Sequence, residues 1–462
     1  VFQLKSTQTL VKGSSLSALE QEVADFLAAN PQLESIDLML SDINGVIRGK
    51  RIEPDSLSKI AKEGMCLPAS VFALDICGET VEETGLGFAQ GDADRLCFMV
   101  PGSLCLIPWK PQAAQVLVSM FELDHRPFYA DPRHLLEAQL ARLHDQSLFP
   151  CVAIEWEFYL LDPKADNEGQ PRPPILPKAK QRMQQTQVYS LDELDEFEAF
   201  IHDVHLACHA QGIPSDNVIA EYAPGQFEVN LRHQHDPVLA CDQAILLKRT
   251  IKAIAKQHGY VATFMAKPYA EHSGNGCHMH MSLLDGQGEN LFATQPALLE
   301  QAVAGVLDTL PDAIALLAPN ANSYRRFQPD MFVPLHANWG WDNRTVALRI
   351  PSGTEENTRI ENRVAGADCN PYIAMASMLA GLQRGISEKL SCPAPCEGDA
   401  GGVGPTLPLH WPQALEQFQN SVLYRALGED FSHVYLANKQ HELQRFEASV
   451  SPLEQRWYQQ QV

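Results

Sequence analysis

Between Ala153 and Leu160 the chain reads Ala-Ile-Glu-Trp-Glu-Phe-Tyr-Leu, an apolar run carrying carboxylates at Glu155 and Glu157. Alternate side chains of an extended segment share a face, so both carboxylates point the same way. Two like charges on one face of a buried strand repel each other and lose hydration unless a cation or basic group lies between them. The fold must therefore bring a positive partner to this strand. Three other segments carry matching chemistry. Glu221-Tyr-Ala-Pro-Gly-Gln-Phe-Glu228-Val-Asn230 sets two more carboxylates around a Pro-Gly turn. Arg359-Ile-Glu361-Asn-Arg363 alternates charges with a period of two. Lys267 to Ser282 crosses a small polar loop, Ser273 to Gly276, and then places His278, His280 and Ser282 on one face with Met279 and Met281 behind. Alone, that last segment reads equally well as a surface strand with two incidental histidines. Together, five glutamates and a histidine aimed at one place make a hard-cation site. Oxygen-rich coordination with one imidazole suits Mg²⁺ or Mn²⁺ better than Zn²⁺.

The rest of the chain reads as punctuation around those strands. Residues 1–15 are polar and Ser/Thr-rich, an expected loose arm. Ser17 to Ala29 has a helical apolar face, and Ser17 and Glu20 have capping-box spacing. Ile36–Leu40 and Val46–Ile52 flank the turn signal Asp42-Ile-Asn-Gly45 and predict a hairpin. Short strands follow as far as a boundary at Pro108–Pro111. Helices are expected after Asp131-Pro132, over 191–211 and over 237–258. Another is expected over 295–318, whole or broken at Pro311, with Thr294 as a cap, and another from Asn370-Pro371 to about 390. Gly259 to Ala266 reads as a buried strand. Residues 162–190 and 392–408 read as loops, and the tail from Pro412 as helical.

Composition narrows the function classes. The 462 residues carry 35 basic and 57 acidic side chains, a net charge of −22, which argues against nucleic-acid binding. No apolar run approaches the roughly 20 residues that span a bilayer, so no membrane role is expected. The eleven cysteines are scattered with no Cys-x-x-Cys pair, as in a reducing, cytoplasmic compartment.

Seven ordered motifs then identify a resemblance. Glu155-Trp-Glu157-Phe158, Glu221 to Glu228, Lys267-Pro268 to Ser282, Asn322-Ser-Tyr-Arg-Arg326, Asn343-Arg344 to Pro351, Arg359 to Arg363 and Asn370-Pro-Tyr372 resemble the glutamine synthetase family over nearly the whole chain. Pro68 to Ala73, Gln187 to Ser190, Asn322 to Pro329, Asn343 to Pro351 and Arg363 to Asp368 look like its polyamine branch, the glutamate–putrescine ligases. The resemblance implies an α+β chain, with a small N-terminal β-grasp-like domain (16–111) followed by a large glutamine-synthetase-type catalytic α/β domain (112–462). It implies ATP-dependent ligation of the glutamate γ-carboxylate to a polyamine through γ-glutamyl phosphate. Glutamine synthesis with ammonia, another amine and a silent scaffold are the alternatives.

Carried over position by position, the resemblance implies metal ligands at Glu157, Glu221 and Glu228 and at Glu155, His278 and Glu361, for two or three Mg²⁺ or Mn²⁺. It implies ATP contacts at His280, Ser282, Arg349 and Arg359, and a phosphate contact at Arg344. Glutamate contacts are implied at Gly274, Arg326 and Arg363, with both arginines also on the acyl phosphate. Asp42 matches an aspartate that reaches a neighbouring subunit's amine site, though an Asx turn with Asn44-Gly45 explains it equally. The family's assembly is two stacked six-membered rings. Phe332 stands where glutamine synthetases carry a flap glutamate that binds ammonium. It is expected to line an amine pocket with Trp339 or Trp341, the alternative being core aromatics.

Overall fold

Two sheets carry the chain, and each is assembled from segments distant in sequence. The computed structural model describes residues 14–167 and 169–462, with side chains from residue 17 onward. All but the last two residues of the expected arm lie outside that range. The small sheet is built from β1 (Ser35–Ser41), β2 (Ile47–Ile52), β3 (Met65–Pro68), β4 (Asp94–Met99), β5 (Cys105–Leu106) and β6 (Ala113–Phe121), with helices α1 (Ser14–Ala29) and α2 (Leu57–Glu63). Its order is β2-β1-β6-β4-β3, with β5 also on β6, and β1 and β6 run parallel. A central strand therefore lies beyond residue 111. The Pro108–Pro111 boundary precedes it because those prolines punctuate a turn, whereas the sheet closes only at Phe121. α1 begins at Ser14, so Ser17 and Glu20 fall inside the helix rather than forming its capping box.

The large unit opens with α3 (Pro132–His144), capped by Asp131 accepting from the Arg133 amide. It continues through β7 (Phe149–Leu161), α4 (Leu191–Glu196), α5 (Glu198–Ala210), β8 (Ser215–Ala220), β9 (Gln226–Leu231), α6 (Pro237–Gln257), β10 (Val261–Thr263) and β11 (Cys277–Leu284). α7 (Leu291–Thr294), α8 (Pro296–Leu317), β12 (Trp339–Trp341), β13 (Leu348–Ile350), β14 (Ile360–Asn362) and α9 (Pro371–Glu388) follow. The tail is α10 (Trp411–Gln419), α11 (Val422–Ala426), α12 (Glu429–Glu447) and α13 (Pro452–Tyr458). The eight-stranded sheet runs β12-β13-β14-β11-β7-β9-β8, with β10 also on β7. Only three residues of the strand expected over 259–266 join it. The helix expected over 191–211 is split at Phe197. α8 passes through Pro311 unbroken, and Thr294 ends α7 instead of capping α8.

One face of the large sheet is core. Ile154, Trp156, Met279 and Met281 are fully buried, and the Trp156 indole donates to the Ala244 carbonyl of α6 at 3.2 Å. Each such side chain contributes about 1.5–3 kcal/mol by burial. Behind it α8 crosses α9 through glycines: a Cβ on Gly305 would lie 2.2 Å from the Gly381 carbonyl oxygen. α3, α6 and α9 meet at a buried charge cluster. Arg133 donates to Asp242 at 3.0 and 3.1 Å and to Glu137 at 2.6 Å, and the Tyr372 hydroxyl donates to Asp242 at 2.6 Å. The small sheet is held to this unit by Asp37–Arg249 at 3.0 Å and Asp75–Arg445.

Candidate active site

Strand register gathers the carboxylates. Glu157 lies directly across from Glu228 on β9, and Glu155 lies between Asn230 on β9 and His278 on β11. His280 faces Glu361 on β14, which in turn faces Arg349 on β13. Period-two alternation puts all of these on the face opposite Trp156. Glu221 joins them from the turn before β9. The polar face looks into a cleft of about 670 Å³ that all six expected metal ligands line.

The distances define two groups. Glu155, Glu228 and His278 offer ligand atoms within 4.8 Å of one another, and so do Glu155, His280 and Glu361. His280, rather than His278, thus sides with Glu361. His278 Nδ1 lies 3.2 Å from Glu155, and His280 Nε2 lies 3.0 Å from it. Gly276 donates its amide to Glu157 at 2.7 Å, and a Cβ there would meet His278, Arg326 and Glu157 within 3.3 Å. Gly274 is equally crowded: a Cβ would lie 2.5 Å from the Ala266 carbonyl oxygen. The glycines of this turn let the backbone pass against the cleft floor.

Burial and neighbouring charges act unevenly on these carboxylates. Burial, reinforced by Glu155, Glu157, Glu221 and Glu361, pushes the Glu228 carboxyl far above the usual range. Burial and Glu157 raise Glu221 as well. Burial would also raise Glu155 and Glu361. The imidazoles hold Glu155 well below the carboxylate range, and Arg363 with both histidines holds Glu361 at about 2. A divalent cation among oxygen donors would relieve the repulsion at Glu221 and Glu228. The donor set of five carboxylates and imidazole therefore fits Mg²⁺ or Mn²⁺.

The cations present are arranged for an anion. Arg326 and Arg363 are buried at the cleft, each with an Nε that has no partner among the described residues. Arg326 is fixed by donation to the Val364 carbonyl at 2.7 Å, and Arg363 by donation to Glu361 at 2.5 Å. Arg344 is exposed in the cleft with no hydrogen bond or ion pair among the described residues. Arg349 is tied to Glu361 at 3.0 Å and Asp342 at 2.5 Å. A second lobe of about 810 Å³ shares Glu155, Asn230, His280 and Arg359 with the first and extends past Ser282 and Asn290. Arg359 Nε donates to His280 Nδ1 at 3.2 Å on the ridge between the lobes.

Three expected site residues are elsewhere. Asp42 is fully buried in its own turn, accepting from the Asn44 and Val46 amides at 2.9 Å and from Arg48 Nε at 2.9 Å. Within the chain its oxygens form an Asx turn and an Arg48 pair away from this chain's own cleft, whereas the expected reach was to a neighbouring subunit's site. Trp339 is buried, its indole donating to the Pro393 carbonyl at 2.8 Å. Trp341 is exposed beside it, with ring centroids 6.0 Å apart. Both sit on the edge strand β12, only Trp339 beneath the 392–408 loop, and neither lines the cleft. Phe332 does line it, 53% exposed, in the left-handed region at φ 52° and 5.7 Å from the Tyr222 ring. Tyr222 and Tyr189, both exposed at the same mouth, were not anticipated. Tyr222 directly follows Glu221, and Tyr189, at φ 63°, lies in the Gln187–Ser190 segment that resembles the polyamine branch, so each had a cue in the sequence.

Comparison with known proteins places this geometry. Residues 129–458 match the model of the glutamine synthetase catalytic domain. The chain is 46% identical over 448 residues to γ-glutamylputrescine synthetase PuuA of Escherichia coli (strain K12), covering 96% of this chain and 95% of that one. It is 33% identical to glutamate–isopropylamine ligase of a Pseudomonas species, covering 93% and 95%. A solved GmaS/ADP complex superposes with a TM-score of 0.82 at 24% identity, covering 95% of this chain and 99% of that one, a likeness of fold.

Proposed function

This chain belongs to the glutamine synthetase family, and we propose that it joins the glutamate γ-carboxylate to a polyamine, putrescine or longer, using ATP. The observation that carries the reading is Phe332 at the cleft mouth with Tyr222 and Tyr189, where glutamine synthetases place a carboxylate for ammonium. Aromatic faces attract an alkylammonium and cover its methylenes, whereas ammonium has no methylenes to cover. The names of the similar enzymes, which act on putrescine and isopropylamine, support an organic amine.

In the first step a γ-carboxylate oxygen attacks the γ-phosphorus of ATP, and the bond to ADP breaks. In the second the alkylammonium loses a proton to solvent, its freed lone pair attacks the acyl carbon, phosphate leaves, and the amide nitrogen gives up a second proton. Both partners of the first step are anions, so positioning and charge neutralisation are the main catalytic tasks. Arg344, unpaired, reaches the transferring phosphoryl oxygens, and Arg326 and Arg363 grip glutamate and the acyl phosphate. Gly274 supplies a backbone contact. Arg349 holds Glu361 in place and extends toward phosphate. Arg359, His280 and Ser282 line the nucleotide lobe. Glu155, Glu157, Glu221, Glu228, His278 and Glu361 would hold two or three Mg²⁺ or Mn²⁺, which would neutralise charge between the two anions. Eleven free cysteines suit a cytoplasmic location. Among the described residues no helix is long and apolar enough to cross a membrane. The assembly we infer, from the family resemblance, is two stacked six-membered rings. Sedimentation showing a fully active monomer would exclude it.

The reading is tested by phosphate release from ATP with Mg²⁺ and glutamate, comparing putrescine, longer polyamines, monoamines and ammonium. Stimulation by diamines or polyamines is expected. Stimulation by ammonium alone would make this a glutamine synthetase.

A further inference from the structure

The nucleotide lobe holds a second cluster of a different chemical kind. Cys151, His233 and His235 offer a sulfur and two ring nitrogens within 4.8 Å of one another. Strand pairing produces the cluster. The amide of Val152 donates to Gln234 at 2.9 Å and the amide of Gln234 donates to Val152 at 2.7 Å, just past the end of β9. The neighbours of that pair share the opposite face, so Cys151 meets His233 and His235, whose rings stand at 88° with centroids 6.0 Å apart. On its other side Cys151 lies directly across from Ser282. All four residues line the 810 Å³ lobe.

We propose that Cys151, His233 and His235 form a separate site for a zinc-class transition-metal ion. A thiolate with two imidazoles is a soft-to-borderline donor set that suits Zn²⁺ and not Mg²⁺ or Mn²⁺. Four residues of strand, about 13 Å, separate Cys151 from Glu155, so the ion cannot be one shared with the carboxylates. Three protein ligands leave one tetrahedral position open toward the lobe that Ser282 and Arg359 line. Binding forms a metal–sulfur bond and breaks the S–H bond, the proton passing to solvent.

The test is Co²⁺ and Zn²⁺ binding to the full chain with saturating Mg²⁺ holding the carboxylate site. The expected result is a thiolate-to-cobalt charge-transfer absorption and one further equivalent of metal per chain. Both should be lost in Cys151→Ser, and zinc affinity should fall at least about tenfold in His233→Asn. Because His233 is exposed, that variant decides the matter if Cys151→Ser fails to fold. Equal zinc content in wild type and both variants, or wild type without the absorption, would overturn the proposal.

Discussion

Two places in this molecule bury clusters of ionisable groups, and they differ in whether the cluster is complete. At the junction of α3, α6 and α9, Arg133 donates to Asp242 and Glu137, His134 sits 2.8 Å from Glu137, and Tyr372 adds its hydroxyl to Asp242. Every carboxylate there has a donor from the chain itself. In the cleft, burial and neighbouring carboxylates push Glu221 and Glu228 up, and Arg344, which offsets Glu221 only at a distance, makes no hydrogen bond or ion pair among the described residues. The first cluster is balanced by folding, and the second is not. Buried charge alone therefore does not mark a site, but buried charge left unbalanced does.

The difference can be broken from either side. Arg133→Met strands Asp242 and Glu137 without their cation and is expected to cost about 3–5 kcal/mol of stability, read by denaturant unfolding. In the cleft the sign reverses: Glu228→Gln removes a repelled carboxylate, so the metal-free protein should be no less stable than wild type. The same variant should lose phosphate release by about 100-fold or more and should no longer gain thermal stability from Mg²⁺. Arg344→Ala should lower kcat by about 10²–10³-fold with melting unchanged. Phe332→Ala should raise KM for putrescine by about 2–30-fold, the size of a cation–π contact of about 0.5–2 kcal/mol, and leave KM for ATP alone. The smallest effect belongs to Asp42. Burial raises its carboxyl from 3.8 to about 6 against the pull of Arg48. A group raised in the fold contributes stability that is complete below its unfolded value and lost as pH rises through its folded one. Asp42→Asn should therefore flatten the melting temperature between about pH 4 and 6, a change of about 2–4 °C.

What could be read from the chain follows the same division. Glu155, Glu157, Glu228, His278, His280 and Glu361 were legible because charges at period two in an apolar strand demand a counter-charge on the same face, and the register brings them to one face, though with His280 rather than His278 beside Glu361. Helix starts marked by Asp131-Pro132 and Asn370-Pro371 stand where expected because capping is local. What failed depended on distant partners. β6 joins the small sheet through β1, far behind it in sequence. Trp339 packs under a loop 54 residues on. The Cys151–His233–His235 cluster exists only because Val152 bridges Gln234.

The most direct measurement is a competition. The protein is given glutamate, ATP and Mg²⁺ with equal concentrations of putrescine and ammonium, and the products are resolved by mass. γ-Glutamylputrescine in large excess is the expected product, because the aromatic mouth at Phe332, Tyr222 and Tyr189 favours an amine with a carbon chain. Glutamine as the main product would contradict the account.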